Sequence, residues 1–451
     1  ARSMMERHGV DPVAIDVFER QVDRLRSGEL TMIPEADLDP YDSPSLDIRN
    51  EHPGRSEAAI RRLAVIRLNG GLGTSMGMDR AKSLLPVRGD RTFLDLIVDQ
   101  VLALRSATGA RLPLTFLHSF RTSADCLGVL GRTPELVGTV GSTVPIELMQ
   151  NRVPRLLADG LQPVAWPDDP EREWCPPGHG DLYTVLYSSG LLGTLADAGF
   201  ESVFVANADN LGAVPDHAMA DWFESTDAPF AIEVVRRTAS DRKGGHVARR
   251  KRDGRLVLRE TAQTPVEDLD SIHRHRFAST NNVWFRIDPM RELLLDRRGD
   301  LELPVIANRK RVVPGDEATP LVIQLETALG AAIERFDEAT TVEVGRDRFI
   351  PVKTTDDLLV VRSDCYGISA GGRLEQRSVS LPFVELSDPY RSVDAFDRRF
   401  PAGPPSLVDA RSLVVRGDWH FGANVTVVGD VELGPNGGAV PDGAVLEGRI
   451  G

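Results

Sequence analysis

The chain has 451 residues, 41% of them apolar, and a net charge of −14 at neutral pH. That length allows two or three domains with ample core. The acidic balance argues against a broad basic face for nucleic acid or anionic lipid, so an anionic substrate would need positive charge gathered locally. No apolar run approaches the length that spans a bilayer. The opening Ala1-Arg2-Ser3 lacks a charged-then-apolar leader, and Cys126, Cys175 and Cys365 show no CxxC spacing. A reduced, cytoplasmic protein without a disulfide framework or zinc site is therefore expected.

In chain order, Ile15, Phe18, Val22 and Leu25 recur at helical spacing, and a Pro/Asp-rich connector follows from Pro34 to Pro44. Both read as packing material. From Arg61 onward, short apolar strands alternate with helices, the pattern of an α/β domain with a largely parallel sheet. The first strand, residues 63–66, runs into Leu68-Asn69-Gly70-Gly71-Leu72-Gly73-Thr74-Ser75-Met76-Gly77, with Lys82 beyond. Four glycines within eight residues let the backbone approach a ligand, so successive amides can face phosphate oxygens. The spacing matches neither common phosphate loop. Lys82 follows Ala81 instead of a glycine, and Met76 stands where a dinucleotide fingerprint needs its third glycine.

A helix is expected from Thr92 to about Gly109, with Phe93, Ile97, Val101 and Leu104 on one face, and strands over 112–117 and 144–149. A single helix over 181–198 and a strand over 202–206 come next, the strand delivering Asn207-Ala208-Asp209-Asn210 to its carboxyl end. In open α/β sheets that edge holds the ligand. A further strand over 231–235 leads to Arg236, Arg237 and Lys243. Past Ser380, short strands at 413–415, 425–428 and 444–446 are split by glycines, which suggests a small β-solenoid or a sandwich. Such a tail is either an assembly surface or a cap on the main domain.

Six ordered segments carry a resemblance. They are the glycine loop, Pro176-Pro177-Gly178-His179-Gly180-Asp181, Asn207-Ala208-Asp209-Asn210-Leu211-Gly212, Thr280-Asn281-Asn282-Val283-Trp284, Gln324-Leu325-Glu326-Thr327-Ala328 and Pro351-Val352-Lys353. Together they resemble the eukaryotic-type UTP–glucose-1-phosphate uridylyltransferase family from about Ala64 to Ile450. The resemblance implies a Rossmann-like nucleotidyltransferase core of the glycosyltransferase-A kind with a mixed sheet, and a C-terminal left-handed β-helix. It divides the chain into an N-terminal helical segment (1–57), a catalytic domain (58–379) and the β-helix (380–451). Implied partners are UTP, glucose 1-phosphate, UDP-glucose and pyrophosphate, with Mg2+ as cofactor, no nucleic acid, no membrane, and the β-helix as a route to a homo-oligomer.

Residue by residue, the resemblance makes Lys82 the lysine that contacts the UTP phosphates, although the family places proline where Ala81 stands. Lys353 is implied as a phosphate ligand near the attacking group, and Lys243 as a sugar-loop lysine, with a solvated turn charge as its alternative. Leu68, Asn69, Gly70, Gly71, Gly73, Thr74, Met76 and Gly77 form the nucleotide loop, while Gln150 and Gly178 meet the uracil. His179, Asn207, Glu260, Thr280, Asn281, Asn282 and Glu326 are implied at the sugar, though Glu326 on an expected helix could instead pair with a base. Asp209 suits a magnesium ion or else caps its turn, and Asp181 reads as the N-cap of its own helix. Competing functions are a UDP-N-acetylhexosamine pyrophosphorylase and a catalytically silent nucleotide-sugar-binding protein. A dehydrogenase ranks last.

Overall fold

The computed structural model describes residues 1–28, 32–42, 57–138, 143–238 and 244–451, with the side chains of 270–272 left aside. Leu63–Asn69 lies at the centre of a ten-stranded mixed sheet. Ser202–Asn207 and Leu114–His118 flank it in parallel, and Glu147–Met149 extends the parallel run. All four strands therefore end at the same edge. Beyond Ser202–Asn207 the sheet turns antiparallel. Phe277–Arg286 pairs there, carrying Phe230–Arg236 and His246–Arg250, and Leu38–Pro40 closes the edge. The connector read as packing material thus contributes an edge strand. A local apolar count could not reveal this, because the pairing partner lies some two hundred residues away.

Alternation along the strands explains the layers. Leu63, Val65, Phe116 and Phe204 enter one core, whereas Ala64, Ile66, Leu117 and Val205 enter the other, as a period of two requires for a sheet covered on both faces. The first core is covered by the helix Phe93–Thr108. It starts at a reciprocal capping box in which Thr92 Oγ1 accepts from Asp95 N and Asp95 Oδ2 accepts from Thr92 N. Fully burying Phe93, Ile97 and Val101 contributes roughly 1.5–3 kcal/mol each. On the opposite face, the expected single helix is two, Leu182–Ser189 and Leu191–Asp197. Gly190 breaks it by adopting a φ of +67°.

The C-terminal strands Phe383–Leu386, Ala410–Val415, Thr426–Leu433 and Val445–Ile450 pair in parallel in chain order, as do Trp419–Phe421 and Gly438–Val440. Each pass returns in the same direction, so the segment is a β-coil and not an antiparallel sandwich. Its inward residues Leu413, Val427, Val431 and Leu446 join the same apolar core as Leu358, Leu359 and Phe396 of neighbouring helices. All three cysteines are buried and free. Among the described residues, no helix is long and apolar enough to cross a membrane.

Candidate active site

The glycine loop is tied down at its root and open at its tip. Leu68 O accepts from Ala208 N at 2.9 Å, Asn69 O from Thr122 Oγ1 at 2.8 Å, and Gly70 O from Ser119 Oγ at 2.8 Å. Gly71, Thr74 and Gly77 are exposed. Three members of the segment turn their side chains inward. Leu68 and Met76 are buried in the two apolar cores, and the Asn69 amide donates to Cys126 Sγ at 3.3 Å. Their side chains support the loop, and only their backbone remains to meet a ligand. The chain then folds back, with Leu72 bridging Ala81 and Lys82 N donating to Gly71 O at 3.2 Å. Ala81 takes φ −55° and ψ 126°, a conformation open to proline.

Gln150 Nε2 donates to Gly178 O at 2.6 Å. A Cβ at Gly70 would lie 2.5 Å from Gln150 Oε1, so a side chain there would displace the Gln150 amide. Gly178 sits at φ +82°, with Thr327 backbone atoms 2.6 and 2.7 Å from the place of a Cβ. The pair places a neutral amide beside backbone free of a side chain, the kinds of group that can meet a heterocycle edge.

At the sheet edge, Lys82 Nζ meets Asp209 Oδ2 at 2.7 Å, both side chains partly exposed. Val352 N donates to Asp209 O at 3.2 Å, which brings Lys353 alongside. Lys353 is exposed. Burial raises the pKa of the Glu260 carboxyl, and the Lys353 charge partly offsets that rise. Lys243 lies outside the described residues. Among those described, no cluster of three or more His, Cys, Asp or Glu could hold a metal. A lone carboxylate such as Asp209 is compatible with magnesium where a bound phosphate supplies further oxygens, since that ion keeps several of its waters.

His179 Nδ1 accepts from Leu329 N at 2.7 Å, so the neutral ring carries its proton on Nε2. Burial lowers its pKa to about 4, against a smaller upward pull from Asp209. Asn207 Oδ1 accepts from Asn281 Nδ2 at 2.9 Å, which brings these two together at the strand end. Thr280 and Asn282 require correction, because their side chains turn into the interior. Thr280 Oγ1 donates to Glu233 O at 2.7 Å, Asn282 Nδ2 to Glu233 Oε2 at 2.9 Å, and both residues are buried. Neither side chain can read a sugar hydroxyl from there. Glu326 stands on the strand Leu321–Thr327 and not on a helix, with its Cβ 2.9 Å from the place of a Gly178 Cβ.

Asp181 does not cap its helix through its side chain. Its carboxylate accepts from Asn151 N at 2.7 Å and Asn151 Nδ2 at 2.9 Å. Burial raises its pKa to about 6 despite those bonds. Sequence reading missed Ser119, Asn151, Glu233 and Arg348, which support the site from behind. Nothing local marks them, since each acts on a partner distant in sequence.

A family profile described as UTP–glucose-1-phosphate uridylyltransferase matches residues 16–428. The chain belongs to that family. UTP–glucose-1-phosphate uridylyltransferase of Solanum tuberosum is 37% identical over 419 residues, which cover 90% of this chain and 84% of the relative. Among solved structures, UDP-glucose phosphorylase from Trypanosoma brucei superposes with a TM-score of 0.92 at 40% identity, covering 100% of this chain and 98% of that one. A mutant of UDP-glucose pyrophosphorylase from Leishmania major, in complex with UDP-glucose, gives a TM-score of 0.92 at 38% identity, covering 100% and 97%. Uridylyltransferase chemistry is therefore the frame in which the Lys82–Asp209 edge is to be understood.

Proposed function

We propose that the chain joins UTP and glucose 1-phosphate to give UDP-glucose and pyrophosphate. A phosphate oxygen of the sugar attacks the α-phosphorus of UTP while the bond to the α–β bridging oxygen breaks and pyrophosphate departs in line. No protein nucleophile is needed, so catalysis is positioning of two mutually repelling anions and neutralisation of charge on the α-phosphoryl oxygens. The observation that carries this reading is the convergence of Lys82, Asp209 and the Lys353 segment at one sheet edge.

In this reading Gly71, Gly73, Thr74 and Gly77 cradle the triphosphate, Gln150 and Gly178 meet the uracil, and Lys82 and Lys353 neutralise phosphate. Lys243 is proposed for the sugar phosphate. His179, Asn207, Asn281, Glu260 and Glu326 face the sugar, His179 as a donor through Nε2. Asp209 would hold magnesium, which supplies further charge neutralisation when bound. The C-terminal coil is proposed as a left-handed β-helix and a route to a homo-oligomer, and the enzyme as cytoplasmic.

Pyrophosphate release tests this directly, with UTP and magnesium beside glucose 1-phosphate in one reaction and N-acetylglucosamine 1-phosphate in another. Strong release with glucose 1-phosphate alone is expected. Preference for the acetylated sugar would move the chain to the N-acetylhexosamine reading, and silence with both would leave a binding protein.

A further inference from the structure

The two sides of the phosphate site come from segments far apart in sequence, Lys82 with Asp209 on one side and Lys353 on the other. Between them lies Asn210, only 1% exposed. Its amide is fully engaged. Oδ1 accepts from Ile350 N at 2.9 Å and Gly212 N at 3.2 Å, and Nδ2 donates to Arg348 O at 3.1 Å and Asn282 Oδ1 at 3.3 Å. Asn210 directly follows Asp209, and the stretch it grips runs from Arg348 into Lys353. An isolated bridge between Asn210 and Pro351 strengthens the seam.

Behind this seam stands Glu233, fully buried. Its carboxylate receives Arg348 Nε at 2.9 Å and Nη2 at 2.6 Å, Asn282 Nδ2 at 2.9 Å and Trp284 Nε1 at 2.9 Å. The remaining Arg348 amino group goes to Asp216 Oδ2 at 2.7 Å and Val214 O at 2.8 Å. A bulge explains the convergence. Between the paired positions Ile232–Val283 and Val234–Ser279, Glu233 alone opposes the three residues Thr280 to Asn282. Bulges re-aim side chains, and here Thr280 and Asn282 are aimed inward while Asn281 faces Asn207. Every member of the network is satisfied, the condition under which buried polar groups hold a unique geometry.

We propose that Asn210, braced by Glu233 and Arg348, is a positioning residue that sets the separation of Lys353 from the Lys82–Asp209 pair. This rests on the phosphate-site reading given above. A shift of about 1 Å in such a constellation lowers rate by roughly a hundredfold, and in the proposed reading UTP is held by the glycine loop, Lys82, Gln150 and Gly178, none of which lies on the Arg348–Lys353 stretch. Loosening the seam therefore lowers kcat while leaving KM for UTP nearly unchanged.

The test is a cycle of Asn210→Asp, Lys353→Ala and the double variant, read by kcat, KM for each substrate and melting temperature. Asn210→Asp is near-isosteric and removes both Nδ2 donations. A fall in kcat of tenfold or more is expected, with KM for UTP within twofold. In the Lys353→Ala background the same change should move kcat by less than twofold, because the group that the seam positions against the Lys82–Asp209 pair is already gone. Full additivity in the cycle, or a loss confined to KM, would overturn the proposal. Should Asn210→Asp fold poorly, Asn282→Ser removes one Asn210 contact from outside and must lower kcat in the same direction. If Lys353→Ala retains full turnover, the phosphate-site reading falls and takes the proposal with it. If Lys353→Ala is impaired while Asn210→Asp is not, only the proposal falls.

Discussion

The two loops that face each other across the proposed phosphate site are built by opposite means. The glycine loop offers exposed backbone at Gly71, Thr74 and Gly77 and is fixed mainly at its root. The Asp209 loop rests on a buried network in which Asn210, Asn282, Arg348 and Glu233 have their polar contacts made by one another and by nearby backbone and side-chain groups. A ligand can reach the first loop at exposed Gly71 and Thr74, whereas Met76 N and Gly77 N already donate to Gly73 O and Thr74 O. The second arrives already set. In the proposed site, geometry is therefore set more by the Asp209 side than by the glycine side.

Substitutions separate the two. Glu233→Ala leaves the Arg348 guanidinium buried without its principal counter-ion, and removing one partner of such a pair costs about 3–5 kcal/mol. Urea unfolding should show that loss, and a change under 1 kcal/mol would mean water or Asp216 compensates. Lys82→Ala on the opposite side should lower kcat/KM by about 100- to 1000-fold, the scale of losing one preorganised charge stabiliser. Its melting temperature should hardly move, and a large thermal loss would make Lys82 structural.

Asp181 and His179 sharpen the contrast through pH. The folded pKa of His179 is lowered to about 4, so acidification through pH 6.5 to 4 favours unfolding. Asp181 has its folded pKa raised to about 6, so the folded state gains a proton first and acidification through 6 to 4 favours folding. The two slopes oppose. Asp181→Asn removes one, so the variant should lose about 1.4 kcal/mol more per pH unit between 6 and 4 than the parent. Equal slopes in parallel urea titrations would contradict these assignments. The smallest effect is expected from Ala81→Pro, a gain of about 0.4–1 kcal/mol from a stiffer unfolded chain at a compatible backbone position. A fall in melting temperature would mean that the packing around buried Ala81 cannot take the ring.

What was legible in the sequence follows the same division. The glycine loop, Lys82 and the Asn207–Asn210 edge announce themselves through spacing and position after apolar strands. The helix after Thr92 was readable because its cap and apolar face are both local. Thr280 and Asn282 misled, since a bulge opposite Glu233 decides which way each side chain points, and only the paired strand carries that information. Glu233 and Arg348 gave no signal, being single charges on separate strands and turns whose meaning lies in their mutual contact. The expected helix at Glu326 is a strand, Leu321–Thr327, because a short apolar run does not distinguish strand from helix by period.

The shared core beneath the C-terminal coil has a consequence for how the molecule comes apart. Leu413, Val427 and Leu446 pack in one contiguous cluster with Leu358, Phe396 and residues of the central sheet. Detaching the coil would wet that cluster along the helix Thr355–Arg362, so neither part can melt without weakening the other. Heat is expected to unfold both in a single cooperative transition, and a calorimeter would record the central sheet and the coil as one unit.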